Sequence, residues 1–328
     1  MSKINQISLQ EAVGMIDNGS FMTFGGFTTW RRPMAFVYEM IRQGKKDLHL
    51  FEVNGSTHTE MLVGAGCVKI FESCWVGHEL LGKLGEGIAR HQVADDGVII
   101  IDDISHGQCV ARIVAGAYGL PFMPCAMAMG TDLLNPEYDM LGRAGLRDGS
   151  NPNIPKKKYE VYKNNFTDTG TDILLMPAAN PEWGIMYIPM IGDEGTCRVF
   201  AQNYVDSEVI KACKKIIVVT EEIVPESYLR QQPGLNIAPG HMIDYVVECK
   251  WSAHPTGSQN YYDVDADFIR AFYKASKSQE AYDKWAKEWI YGVSSHEEYL
   301  EKLGVKHLET LRANSAIGYS TSIKRGTR

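Results

Sequence analysis

Short apolar runs alternate with amphipathic stretches along this chain, and that alternation predicts its architecture. Phe21-Met22-Thr23-Phe24 is one such run, closed by Gly25-Gly26 and followed by Phe27, Thr28, Thr29, Arg31 and Pro33. A run of this length bounded by turn residues reads as a buried strand, and Pro33 suits the first position of a helix, where a missing N–H costs nothing. The paired glycines between them permit positive φ, or a close approach of backbone to a ligand. Strand, Gly-rich turn and helix together bring N–H groups and a positive helix end to the edge of a sheet, where an anion is stabilised.

The same rhythm continues along the chain. Ser8-Leu9-Gln10-Glu11 has the form of a capping box and opens a helix running toward Gly19. Met34, Val37, Met40 and Ile41 form one apolar face of a helix over 33–42, stopped by Gly44. Strands are expected over 47–55, 67–75 and 98–101, the last apolar throughout as in a sheet covered on both faces, and an Ala- and Val-rich helix runs from His106 to Tyr118. Residues 131–170 are rich in Asn, Asp, Gly and Lys and read as a long surface excursion. Strands resume over 172–176 and 185–191, and Gly192-Asp193-Glu194-Gly195 turns the chain into 197–200 as a hairpin. A helix over 206–214 and strands over 215–220 and 242–248 complete the series. Beyond Asp263 the pattern is helical, with Phe268-Ile269-Phe272-Tyr273 and Trp285-Trp289-Ile290 as two stripes that read as core. The expected fold is α/β, with an open, doubly wound, mostly parallel sheet and a C-terminal helical extension. Its expected division is a core over 1–225 and a closing strand with the helical region over 226–328.

Composition narrows the function. A net charge of −7 over 328 residues offers no extended basic face for nucleic acid, so an anionic ligand needs a local pocket. The first ten residues lack the apolar core of a signal peptide and no apolar run approaches ~20 residues, so a cytoplasmic protein with no membrane partner is expected. Seven cysteines, odd in number and without a CxxC pair, are expected to be reduced core residues. GxSxG, HExxH, GxGxxG and a phosphate loop are all absent, and the nine histidines show no ligand spacing, so no metal is expected.

The remaining candidates stand at predicted strand ends. Glu52 ends the second strand; a carboxylate there can act as a nucleophile without a base, or simply pair with Arg31 or Arg32. Ser105 is a natural N-cap, while His106 would sit at the carboxyl edge of a central strand, where open α/β sheets bind ligands. His254 lies in the loop Trp251–Gly257, as a site residue or as an incidental exposed histidine.

One resemblance gathers these features. Asn18-Gly19, an apolar strand, Gly25-Gly26-Phe27, Arg31 and Pro33 resemble the N-terminal signature of the class I coenzyme A-transferases, with Thr23 inside the apolar run and Arg31 at a position where glycine is usual. The phrase Phe24-Gly25-Gly26-Phe27-Thr28-Thr29 is most similar to alpha chains of the glutaconate type. The similarity continues through Gly119-Leu120-Pro121-Phe122, Val218-Val219-Thr220-Glu221-Glu222-Ile223, Ala253-His254-Pro255, Lys287-Glu288-Trp289 and Glu298-Tyr299-Leu300, spanning about residues 5 to 312.

The resemblance implies transfer of coenzyme A between carboxylic acids through a glutamyl thioester, with acyl-CoA as substrate and no permanently bound cofactor. In two-chain members the glutamate belongs to a beta subunit, in a Glu-Asn-Gly or Glu-Ser-Gly signature. Here Glu52-Val53-Asn54-Gly55 stands at the similar place with one residue inserted, and an insertion at a strand edge turns a side chain to the other face. A separate beta chain carrying the nucleophile is therefore expected, with Glu52 as the alternative. Gly25, Gly26 and Phe27 would frame the reacting carbonyl, Thr28, Thr29 and Arg31 would hold anionic groups, Ser105 would stand beside the ligand, and His106 and His254 would line the acid pocket. Related acyl-CoA hydrolases and decarboxylating lyases leave a second reading open, with His106 as general acid or base. A binding subunit without chemistry is a third.

Overall fold

The structure, a computed structural model, describes residues 4–166 and 170–324; residues 167–169 of the predicted excursion lie outside the described residues. Seven strands form the central sheet: β1 (Phe21–Phe24), β2 (Leu48–Glu52), β3 (Val68–Ser73), β4 (Ile100–Asp103), β5 (Trp183–Tyr187), β6 (Lys215–Thr220) and β7 (Tyr245–Glu248). They lie in the order β7-β6-β5-β1-β2-β3-β4, and every neighbouring pair is parallel. The chain winds outward from β1 to β4, returns to the other side of β1, and winds out again to β7. The direction of winding therefore reverses between β1 and β5. At such a point the loops leaving the two carboxyl ends diverge to opposite faces and open a crevice between them.

Both faces of the sheet are covered, which explains why its strands read as near-continuous apolar runs. Alternate side chains enter two different cores. Met22, Phe24, Leu50, Ile185 and Val219 pack on one face, against the helices Leu9–Gly14, Met34–Arg42 and Thr57–Gly64 and the C-terminal helices Ala266–Ala275 and Gln279–Trp289. Phe21, Phe51, Met186, Ile216 and Val218 pack on the other, against His106–Ala117 and Asp206–Ala212. The doubly wound sheet and the helical C-terminus, which continues through His296–Leu303 and Val305–Leu311, agree with the sequence pattern. So does the Ser8 capping box: Ser8 Oγ accepts from the Glu11 N–H at 3.2 Å and the Ser8 N–H donates to the Glu11 carboxylate at 2.9 Å.

Several expectations need correction. The first helix stops at Gly14, well short of Gly19. Pro33 caps its helix rather than opening it. The run 185–191 breaks after Tyr187, because Pro189 has no N–H to continue the ladder; Met190–Gly192 instead pairs antiparallel with Cys197–Arg198. That hairpin joins a small second sheet with Glu222–Val224 and Asn236–Ala238. Asp172–Pro177 lies outside the central sheet, between Phe122–Cys125 and Glu160–Lys163 in an antiparallel three-stranded sheet. Two helices that the pattern did not announce, Thr57–Gly64 and Glu86–Ala94, complete the crossovers after β2 and β3.

The excursion after Thr131 is more than surface. Leu141 and Ile154 are buried against Ile70, and Arg147 and Lys158 reach Asp102 at the end of β4, at 3.1 and 3.4 Å. Burial pushes the Asp102 carboxyl up to about 6, with Lys158 opposing. A carboxyl group whose folded pKa is raised contributes stability that is fully present below its unfolded value near 4 and is lost as pH rises through about 6, up to about 3 kcal/mol in all. Thermal denaturation at pH 5, 6 and 7 should therefore show a flatter dependence in Asp102→Asn than in the wild type. Parallel slopes for the two proteins would refute this account of Asp102.

Candidate active site at the Gly-Gly turn

The turn predicted from the sequence lies at the carboxyl end of β1, beside β5, where the winding reverses. The Gly25 N–H extends the ladder to the Ile185 carbonyl at 2.9 Å. Gly26 takes φ +91°, and its N–H donates to Asp206 Oδ1 at 2.9 Å. Phe27 and Trp30 exchange backbone bonds of 2.9 and 2.8 Å around a tight turn in which Thr28 has φ +50°. The Gly25, Gly26 and Phe27 donors are thus all used within the protein. Among the described residues, the N–H groups of Thr28 and Thr29 make no hydrogen bond.

Two consecutive buried arginines hold this turn from opposite sides. The Arg31 guanidinium pairs with Asp206 and donates to the Gln202 carbonyl at 2.5 Å. Arg32 donates through Nε to the Thr28 carbonyl at 3.2 Å, through Nη1 to the Gly25 carbonyl at 3.1 Å, and through Nη2 to the Asn54 carbonyl and Oδ1 at 2.8 and 3.1 Å. Arg31, expected to hold a ligand anion, is committed to Asp206. Arg32 lacked any signal of its own, since sequence alone made it only a possible partner of Glu52.

Glu52 is 1% exposed. His58 Nε2 lies 2.7 Å from its Oε2, Thr59 donates to Oε1 at 3.0 Å, and Arg32 lies 3.9 Å away. Burial lowers the His58 pKa, with Glu52 opposing, so the imidazole is neutral and its Nε2–H donates to the carboxylate. His58 and Thr59 escaped the sequence reading because they lie on a helix whose whole length is buried, polar residues included. The pattern of apolar positions, which locates most buried helices, is blank there.

His106 is exposed at the start of its helix, and its ring lies 5.6 Å from that of Tyr204, which in turn lies 4.5 Å from Phe27. The structure thus brings His106 to the same edge as the turn. Ser105 performs the capping role, its Oγ accepting from the Gln108 N–H at 3.3 Å. His254 is placed elsewhere: its side chain is fully buried, with Nδ1 2.6 Å from the Tyr299 hydroxyl and Nε2 3.0 Å from Asp265. It faces the C-terminal helices. Although the sequence scatters the histidines, the fold brings His307 as well onto the same Asp265 oxygen, at 2.5 Å, so these three side chains form a cluster whose donor atoms could hold a metal ion. The seven cysteines are unpaired, five of them buried.

Residues 6–249 match the coenzyme A transferase family. The chain belongs to that family. It is 30% identical over 320 residues to the A-type subunit of glutaconate CoA-transferase from Acidaminococcus fermentans, covering 97% of both chains. The crystal structure of that enzyme superposes with a TM-score of 0.89 over 99% of this chain and 100% of the other, at 28% identity. The A-type subunit of 3-oxoadipate CoA-transferase from Pseudomonas knackmussii is 28% identical, over 90% of this chain and 97% of its own. A cholesterol ring-cleaving hydrolase subunit from Rhodococcus jostii is 25% identical, over 88% of this chain and 94% of its own.

Within the coenzyme A transferase family pattern, both departures noted in the sequence fall at meaningful places. Arg31 has φ +59°, the conformation glycine adopts without strain. Thr23 lines a slot of about 10 Å³ beneath the turn, together with Phe24, Gly26, Asn54, Tyr204 and Asp206. The paired glycines themselves are not equivalent. A Cβ at Gly26 would stand 2.3 Å from the Arg31 carbonyl oxygen, whereas at Gly25 it would meet the flexible end of Met186. Gly26→Ala should therefore lower stability by roughly 2 kcal/mol more than Gly25→Ala, measured by denaturant unfolding. Equal losses would mean that the backbone at Gly26 relaxes freely.

Proposed function

We infer that this chain is the alpha-type subunit of a heteromeric CoA-transferase that moves coenzyme A between small carboxylic acids, dicarboxylic acids among them, through a glutamyl thioester on a second, beta-type chain. The observation that carries this reading is the state of Glu52. The carboxylates beside the turn, Glu52 and Asp206, are both buried and fully engaged. A turn with a histidine beside it, whose own neighbouring carboxylates Glu52 and Asp206 are both held by internal partners, fits a chain that receives its nucleophile from outside. The two transferase relatives, each named for a dicarboxylic acid, support the same reading.

In this mechanism the incoming carboxylate attacks the thioester carbonyl of acyl-CoA, giving a mixed anhydride and the CoA thiolate. The thiolate then attacks the glutamyl carbonyl of the anhydride, which releases the donor acid and leaves the glutamyl-CoA thioester. An acceptor carboxylate runs the two steps in reverse. Each tetrahedral oxyanion needs preorganised donors, each worth ~3 kcal/mol. The unpaired Thr28 and Thr29 N–H groups are the candidates, held in place by Gly25, Gly26, Phe27 and Arg32. Coenzyme A enters and leaves as substrate, and the mechanism calls on no other cofactor.

A second reading rests on the exposed His106 at the same edge and on the hydrolase relative: water, activated by His106, would replace the acceptor acid. The complex purified through a tag on this chain separates the two. Treatment with acyl-CoA followed by borohydride should place the reduced glutamate on the partner chain, and Glu52→Gln should leave that adduct in place. A reduced residue at Glu52 would overturn the placement of the nucleophile on a second chain. Release of free coenzyme A without an acceptor acid, abolished by His106→Ala, would favour hydrolysis.

A further inference from the structure

Asp265 is a buried carboxylate whose partners differ from those at the sheet edge. Asp206 meets Arg31, Glu52 lies beside Arg32, and Asp102 is reached by Arg147 and Lys158. The Asp265 side chain, 3% exposed, has no Lys or Arg partner among the described residues; its Oδ2 lies 3.0 Å from His254 Nε2 and 2.5 Å from His307 Nε2. Burial alone would raise the Asp265 pKa, but the two imidazoles outweigh it and hold the carboxyl below its usual range, so the group is charged. Burial lowers the His254 pKa, with Asp265 opposing, so that ring is neutral. A buried charge is costly unless a cation meets it, and the cation here is either a protonated His307 or a metal ion.

The geometry of the cluster favours the metal ion. Ligand atoms about 2.0–2.2 Å from a tetrahedral zinc stand about 3.3 Å from one another. The donor atoms of His254, Asp265 and His307 all lie within 4.8 Å of one another, and the first two are already 3.0 Å apart. His307 belongs to the helix Val305–Leu311 at the surface and need withdraw by less than about 1 Å to reach that spacing. The two buried ligands are also aimed by further bonds. His254 Nδ1 lies 2.6 Å from the Tyr299 hydroxyl, which fixes the ring with Nε2 toward Asp265. Asp265 Oδ1 accepts the Phe268 N–H at 3.0 Å as a helix cap, which leaves Oδ2 to ligate. Two imidazoles with one carboxylate suit zinc, whereas calcium and magnesium take oxygen ligands. The His307 side chain, 41% exposed, marks the path by which an ion would enter.

We propose that His254, Asp265 and His307 form a zinc site, with water as the fourth ligand, that fastens the C-terminal helices to the loop beneath the Gly-Gly turn. That loop supports both clamp arginines: the Gly257 carbonyl accepts the Arg31 N–H at 2.8 Å, and the Thr256 hydroxyl accepts the Arg32 N–H at 3.2 Å. Asp265 opens the helix Ala266–Ala275 and His307 lies in Val305–Leu311, so one ion would join two helices to this support. The site does not depend on which reaction the turn serves.

The test titrates zinc into the complex purified without a polyhistidine tag and stripped of metal with a chelator that is then removed. The wild type should bind a zinc ion that His307→Ala binds at least about a hundredfold more weakly, since loss of a ligand exceeds the tenfold to hundredfold cost of losing a residue that only orients one. Cobalt in place of zinc should give the visible absorption of a tetrahedral site in the wild type and none in the variant. Zinc at a hundred times its Kd should raise the Tm of the wild type by about 5 °C and leave that of His307→Ala unchanged. No uptake by the wild type would overturn the proposal and leave a protonated His307 as the cation beside Asp265. Equal uptake by the two proteins would overturn it as adventitious binding elsewhere, and uptake without a change in Tm would overturn the fastening role. The wild-type titration needs no substitution, so the outcome does not hang on the folding of the variant.

Discussion

Two guanidinium groups buried under one Gly-Gly turn set the terms for this end of the molecule. Taking a charge out of water costs several kcal/mol unless an opposite charge and hydrogen bonds meet it. Arg31 is met by Asp206 and a carbonyl, and Arg32 by three backbone carbonyls, the Asn54 amide oxygen and the more distant Glu52 carboxylate. These bonds connect the turn to the helix Asp206–Ala212 on one side and to the loop after β2 on the other. None of these parts can shift without leaving a charge exposed to apolar surroundings. The turn is therefore rigid before any substrate arrives, which is what stabilisation of a developing oxyanion requires.

The topology explains why this clamp sits where it does. Reversal of winding between β1 and β5 sends the following loops to opposite faces, and the gap left at the carboxyl edge has to be filled. Here the filling is polar. Two arginines in succession, one turned toward each side, close the gap while the Thr28 and Thr29 N–H groups, among the described residues, keep no internal partner.

Much of this was legible in the sequence because it depends on local periodicity. The strand, turn and helix of residues 21–42, the hairpin at 190–198 and the two C-terminal aromatic stripes each rest on residues close in the chain. What escaped depends on partners far apart. The helix Thr57–Gly64 is buried on every side with Thr57, His58, Thr59 and Glu60 inside it, so polarity pointed away from a core helix. His254 looked like a loop histidine because its partners, Tyr299 and Asp265, come from the C-terminal helices. Asp172–Pro177 had a strand's composition, but its antiparallel partners could be found only in three dimensions. Glu52 was visible as a candidate, and its engagement by His58 and Thr59 was not.

The same charge accounting bears on the chemistry. Esterification of Glu52 as an anhydride or thioester would remove the negative charge nearest Arg32 and the acceptor of the His58 and Thr59 bonds, in a place that is 1% exposed. Breaking a buried pair by removing one partner costs about 3–5 kcal/mol, and that cost would enter the barrier of every transfer through Glu52. A carboxylate brought by another chain to the outer side of the turn carries no such cost, since it serves no internal charge. Arg31 follows a similar logic: an arginine in a left-handed conformation is strained by about 1–2 kcal/mol, which its buried contact with Asp206 offsets. Arg31 thus fixes the position of Asp206, and through it the Gly26 N–H, so that Asp206, like Glu52, is held by internal partners of the turn and its surroundings.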